Sequence, residues 1–317
     1  MTDYAAYLGL SLDEDQKMIL EMVEQLSSEM LAPAAESIDH EESIPAEIRE
    51  ALAESGLFGL RAPESFGGVE LDDTTYQFSL ATLAHGSASV ALDVLLQSSG
   101  VIEPLAKFGA DNSDLASWAE TLVGGESRGA LAWQEESNSL DVAHLSAEIL
   151  QEGGKTVLRG TKQYVLGATD ADRFLVLAKE GDGCSWVVVE ATENVKVGDT
   201  FTRLGMRGVN AATVTFEDVV VEDALRLGAA GQGEPVFRYV ISRMQTGIVA
   251  LATGLIAAAR DAAALYSTER HQFERPISDF EAIREKLAHR DRVTDDHTER
   301  HKIHVGDAML EPQSHKS

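Results

Sequence analysis

Hydrophobic periodicity changes character twice along this chain of 317 residues, and that order constrains the fold more than any single motif does. Residues 11 to about 125 read as helical. Ile19, Met22, Val23, Leu26 and Met30 share one helical face, behind a Ser11 and Glu14 pair spaced as a capping box. A second helix is expected to start beside Pro45 and stop at Gly56, with proline at the entry and glycine at the exit. Residues 73–108, rich in Ala, Ser and Leu, have room for one or two more helices in close contact. Residues 129–227 turn to β: Val157-Leu158, Phe174-Leu175-Val176-Leu177, Trp186-Val187-Val188-Val189 and Thr213-Val214-Thr215-Phe216 are short strand-forming runs. Gly153-Gly154, Gly181-Asp182-Gly183 and Gly198-Asp199 punctuate them as turns. After a loose link at 228–233 the helical pattern returns, with an Ala-rich stretch at 248–266 expected to be nearly all buried.

The expected fold class is therefore α+β and multidomain: an N-terminal helical domain (1–128), a central β-domain (129–230) and a C-terminal helical domain (231–288). Residues 289–317 form a polar tail with five of the nine histidines and no sustained amphipathic face, read as disordered. His297, His301 and His304 would share one side of a helix, but His297-x-Glu299-x-His301 does not match the zinc-hydrolase spacing, so no metal is expected there.

Composition narrows the function. A net charge of −27, from 53 acidic and 26 basic residues, sets the overall field against nucleic acid, so any anionic ligand needs locally placed arginines or helix N-termini. No run of 18 apolar residues occurs, so no membrane span is expected. The start, Met1-Thr2-Asp3-Tyr4, lacks a secretory pattern, and a lone Cys184 allows no internal disulfide; a cytoplasmic location is expected.

Three strings add specificity. Gly56-Leu57-Phe58-Gly59-Leu60-Arg61-Ala62-Pro63-Glu64-Ser65-Phe66-Gly67-Gly68 resembles the signature after the second helix of the acyl-CoA dehydrogenase family. Leu204-Gly205-Met206-Arg207-Gly208, with Thr213 to Val219 after it, resembles that family's exit from the β-domain. Glu269-Arg270-His271-Gln272-Phe273-Glu274-Arg275-Pro276-Ile277, then Phe280-Glu281-Ala282-Ile283, resembles its flavin-contacting motif. The resemblance covers residues 11 to about 288. It implies a central β-barrel-like domain between helical domains, the last a truncated C-terminal helical bundle in this chain. It also implies FAD as cofactor, an acyl-CoA as substrate, an electron-transfer flavoprotein as electron acceptor, and a homo- or hetero-oligomer whose subunits complete each site. The implied reaction is α,β-dehydrogenation of the thioester, a step in fatty acid or lipid catabolism. A carboxylate takes the α proton and a hydride leaves the β carbon for flavin. A carboxylate manages this only where donors in a dry site polarise the thioester oxygen.

Carried over residue by residue, the resemblance assigns Arg270, Gln272 and Phe273 to FAD, with the arginine fork suited to a neighbouring subunit's pyrophosphate. The plainer reading is a helix-end arginine beside a core phenylalanine. Trp133, Gln134 and Glu135 fall where the family has an aromatic or apolar residue and then Thr-Glu; Gln134 replaces a flavin-touching Thr. Leu140 replaces a Ser that helps hold flavin or substrate. Tyr164 and Leu166 fall where the family has Trp-Ile-Thr or Trp-Ile-Ser beside the flavin ring. Leu166 lacks the hydroxyl, which costs about 1–3 kcal/mol if the flavin nitrogen it served stays unpaired. Core packing is the alternative for both.

No catalytic base can be named. The family's usual glutamate would fall beyond residue 317; an alternative one, on the first C-terminal helix, would fall near Met244, and no acid lies between Glu234 and Asp261. Three readings stand: a catalytic flavoprotein's non-catalytic partner subunit, an inactive truncated product, or a binding protein on the same fold. In each, an apolar helix face around residues 240–265 would need a cover.

Overall fold

The computed structural model of the protein describes residues 11–136 and 142–289. The chain divides into two compact units, 1–254 and 255–317, a division that falls inside a helix.

In the first unit, helix α1 (Glu14–Leu26) passes through one wide π turn (Ser27–Leu31) into α2 (Ala32–Glu41). The capping box of α1 is built by Asp13 and Gln16, one pair later than Ser11 and Glu14. The Asp13 carboxylate accepts from the Gln16 amide at 2.8 Å, and the Gln16 side chain accepts from the Asp13 amide at 2.9 Å. Helix α3 (Ala46–Glu54) follows Pro45 and stops short of Gly56, as its sequence predicts. Then come α4 (Asp73–Gly86), capped by Asp72, and α5 (Ala88–Leu95). A fully buried π segment, Leu96–Ile102, leads on into α6 (Glu103–Phe108), and α7 (Ser113–Val123) completes the domain. Leu52, Leu80, Val94 and Val101 are among the side chains that water does not reach.

The middle of the chain is an eight-stranded mixed sheet in the order β6-β7-β3-β2-β4-β5-β8, with β1 paired in parallel to β4. The strands are β1 (Gly129–Ala132), β2 (Glu148–Glu152), β3 (Lys155–Leu166), β4 (Arg173–Glu180), β5 (Gly183–Glu190), β6 (Val195–Thr200), β7 (Ala211–Val220) and β8 (Arg226–Leu227). Period-two alternation sorts their side chains onto two faces. Leu175, Leu177, Trp186 and Val188 join the helical core, whereas Phe174, Val176, Val187 and Phe216 form a core internal to the sheet. Gly198-Asp199 is not a turn: it lies inside β6, where a register shift against β7 between Val197 and Thr200 absorbs it as a bulge. Cys184 is free and buried.

Helix α8 (Glu234–Glu269) runs for 36 residues across the division. Within the first unit, Val236, Val240, Ala250 and Leu251 are buried against the helical core. Gly254 touches the backbone of α4 so closely that a Cβ there would lie 2.0 Å from the Ala81 carbonyl oxygen. The expected burial of 248–266 is overturned: Ile248, Val249, Leu255, Ile256, Leu265 and Tyr266 are exposed, Val249 by 66 %. Within the first unit, one stripe of α8 meets the core, and Ile248 and Val249 lie outside it. Among the described residues, α8 alone is long and apolar enough to cross a membrane, by length and composition.

In the second unit, strands β9 (His271–Gln272) and β10 (Arg275–Pro276) pair through a two-residue turn, Phe273-Glu274, with both residues in the left-handed region. Helix α9 (Glu281–His289) follows, and the Arg275 guanidinium lies over the Phe280 ring at 4.2 Å.

Candidate flavin cavity

A cavity of about 500 Å³ opens within the first unit between the sheet and α8. Its β wall consists of Leu131 at the end of β1, Trp133 and Gln134 just after it, and Tyr164 and Leu166 at the end of β3. Its helical wall consists of Leu96 at the head of the π segment and, on α8, Ile241, Met244, Gln245, Ile248 and Val249. The α8 residues follow the i, i+3, i+4, i+7 spacing of one helical face.

Local backbone chemistry builds the β wall. Lys162 pairs with Val214, and Val165 with Ala212, so β3 sets Gln163 and Tyr164 against the single residue Thr213. This bulge frees the Gln163 amide from the ladder, and it donates to the Gln134 carbonyl at 2.8 Å. Tyr164 takes a φ of 53°, a strained value for a bulky residue, and its half-exposed ring leans on Phe201 with centroids 4.7 Å apart. Trp133 tilts against Phe237 at 6.0 Å.

Behind this wall, the Lys162 ammonium bonds to the Glu135 carboxylate at 2.6 Å and to the Trp133 carbonyl at 3.3 Å. Lys162 is 0 % and Glu135 7 % exposed. The same carboxylate accepts from the amides of Ser146 at 2.6 Å and Ala147 at 3.0 Å. Burial alone would raise the Glu135 carboxyl; the Lys162 charge and these amides outweigh it and hold the group below the usual carboxylate range.

The helical wall is tied down differently. Glu103, buried at the start of α6, accepts from Arg61 Nε at 2.7 Å, Arg243 Nε at 2.9 Å and the Tyr239 hydroxyl at 3.1 Å. Asp73 bridges the same two arginines from the exposed side. Arg243 directly precedes Met244, so the network fixes the stretch of α8 that faces the cavity. Burial and the adjacent Glu103 charge push the Tyr239 phenol up to about 12, which keeps it protonated near neutrality.

The structure thus brings four of the sequence-predicted site residues, Trp133, Gln134, Tyr164 and Leu166, around one cavity. Glu135 is not among its lining residues; its side chain turns away into the ion pair with Lys162. Arg270, Gln272 and Phe273 lie in the second unit, all exposed, and Phe273, at 87 %, is no core residue. Leu140 lies outside the described residues, as do residues 290–317 of the polar tail with His297, His301 and His304; His289 ends α9. Sequence reasoning missed Leu96, Leu131, Ile241, Gln245, Ile248 and Val249, and gave Lys162 no role. The α8 set was detectable from its helical spacing; Lys162 carried no local signal. Among the described residues, no group of three or more His, Cys, Asp or Glu is arranged to hold a metal.

The lining suits a flat, largely apolar heteroaromatic ring. Two aromatic side chains and aliphatic walls supply contact area, and the Gln134 and Gln245 amides each carry donors and an acceptor for ring-edge heteroatoms. No described lining residue is cationic, so a diphosphate attached to such a ring needs its charge partner outside this set. No described lining residue is acidic either, and Met244 stands where a base was sought.

Three family models cover most of the chain: acyl-CoA dehydrogenase N-terminal domain at residues 13–120, middle domain at 130–219 and C-terminal domain at 231–294. The last accounts for α8 as a domain helix. A probable acyl-CoA dehydrogenase of Bacillus subtilis is 30 % identical over 288 residues, spanning 89 % of this chain and 76 % of that protein. The structure of butyryl-CoA dehydrogenase from Megasphaera elsdenii matches with a TM-score of 0.83 at 25 % identity, over 89 % of this chain and 76 % of that one. A glutaryl-CoA dehydrogenase from Mycobacterium smegmatis, solved in complex with FADH2, shares the fold with a TM-score of 0.80 at 22 % identity, over 94 % of this chain and 74 % of that one. With helical, β and helical regions in the family's order and a ring-sized cavity between sheet and helix, this chain belongs to the acyl-CoA dehydrogenase family of FAD-dependent flavoproteins.

Proposed function

We propose that the chain holds FAD and an acyl-CoA thioester for α,β-dehydrogenation, within an oligomer that passes electrons to an electron-transfer flavoprotein. The observation that carries the reading is the convergence of Trp133, Gln134, Tyr164 and Leu166 with α8 on one cavity. Bound there, FAD would supply the hydride acceptor. The chain's own side chains exclude water from its flat face, and Gln134 and Gln245 orient its polar edge. Arg270, on its exposed hairpin, is suited to meet the diphosphate in a neighbouring copy. The uncovered apolar positions of α8 support an oligomer.

One observation favours a second reading. Removal of the α proton needs a base, and none of the described residues lining the cavity is a carboxylate. This supports a subunit that supplies the flavin wall while another chain supplies the base. The test is to load the full chain with FAD and mix it anaerobically with a saturated acyl-CoA. Bleaching of the flavin band by this chain alone establishes a complete dehydrogenase. A flavin band that stays until a carboxylate-bearing family member is added identifies the partner subunit. Failure to retain FAD rejects both.

A further inference from the structure

Lys162 and Glu135 form the most deeply buried ion pair among the described residues, yet neither reaches the cavity. A buried pair gives weak net stability, because desolvation offsets attraction, so its presence calls for another reason. Its bonds supply one. From β3, Lys162 reaches the carbonyl of Trp133, and the next residue, Gln163, donates to the carbonyl of Gln134. Glu135 then fastens the same loop to the amides of Ser146 and Ala147, at the entry to β2. The join leaves no slack: a Cβ on Gly160 of β3 would sit 2.4 Å from the Ala147 Cα. Three separate segments are locked together, and the side chains they carry outward are Trp133, Gln134, Tyr164 and Leu166.

We propose that Lys162 and Glu135 are positioning residues for the flavin, a buried clasp that presets the loop after β1 and the β3 bulge as one rigid wall. Preorganisation of this kind lowers the ordering cost of binding and tightens the complex without contact to the ligand. The proposal rests on the flavin assignment above, and the experiment separates the two. FAD is titrated into the full wild-type chain, followed by flavin fluorescence and by the visible circular dichroism of the bound ring. If the wild type does not bind, the flavin assignment falls. If it binds, Lys162→Met/Glu135→Gln, which removes both charges and keeps an acceptor for one of the two amides, is expected to raise the Kd about tenfold or more and to change the dichroism. Leu158→Ala, buried in the sheet's own core away from the cavity, is the control: it loses stability but keeps the wild-type Kd and spectrum. An unchanged Kd and spectrum in the double variant overturns the proposal, as does an equal change in Leu158→Ala. Should the double variant not fold, Glu135→Gln alone reads the same question, with a raised Kd expected and an unchanged one contrary.

Discussion

On the β side of the cavity a single ion pair that water barely touches ties three backbone segments together. On the helical side, two arginines, two carboxylates and a tyrosine share the load, and one of the carboxylates, Asp73, stands largely in solvent. A buried one-to-one pair fails as a unit, because removing one partner strands the other charge in a dry place. A distributed network loses one bond and keeps the rest, with water on hand to compensate. The β wall should therefore be brittle and the helical wall tolerant.

The sharpest break in that contrast is Lys162→Met, which leaves the Glu135 carboxylate buried without its cation. It is expected to cost about 3–5 kcal/mol by urea denaturation. A loss below about 1 kcal/mol would remove the brittleness. Next, Glu103→Gln keeps shape and one acceptor but weakens its bonds to Arg61 and Arg243, which are mostly buried. About 1.5–3 kcal/mol is expected, and a loss matching Lys162→Met would erase the distinction between the walls.

Acid sharpens the comparison further. The Glu135 carboxyl is depressed in the folded chain, so the unfolded chain binds the extra proton. Its stabilisation is complete above the ordinary carboxylate pKa and is lost as pH falls through the folded value. Wild type should thus lose stability relative to Lys162→Met/Glu135→Gln as the pH drops through that window, measured as thermal midpoints. A difference that stays constant with pH would contradict the assignment. The smallest effect belongs to Asp73→Asn, with a side chain 64 % exposed and its bonds to both arginines screened by solvent. At most about 1 kcal/mol is expected from the same denaturation experiment.

How far the molecule was legible from its residues follows the same division between local and distant causes. The helical, β, helical order is carried by period, a local property, and it survives into three dimensions. So do the α3 boundaries, because Pro45 and Gly56 act on their own backbone. The capping pair moved because Ser11/Glu14 and Asp13/Gln16 share the same spacing, and only the second has its polar groups in mutual reach. Gly198-Asp199 looked like a turn because a bulge needs the same residues, and the partner strand decides between them.

Residues 248–266 looked buried because alanine and leucine are apolar whichever way they face; only the neighbours present determine the outcome. In the cavity, Trp133, Gln134, Tyr164 and Leu166 were found by resemblance. Lys162 was invisible because a lysine on a strand ordinarily faces solvent. Glu135 was assigned to the ligand when its partner, 27 residues away, lies behind the wall.

The central claim is that the space between the β3 bulge and α8 is where this chain holds its flavin. Met244→Trp fills that space from the helical wall without touching the clasp or the arginine network. Measured by FAD titration of the full chain, wild type should saturate and Met244→Trp should not, at similar thermal midpoints. Equal binding by the two chains would contradict the account.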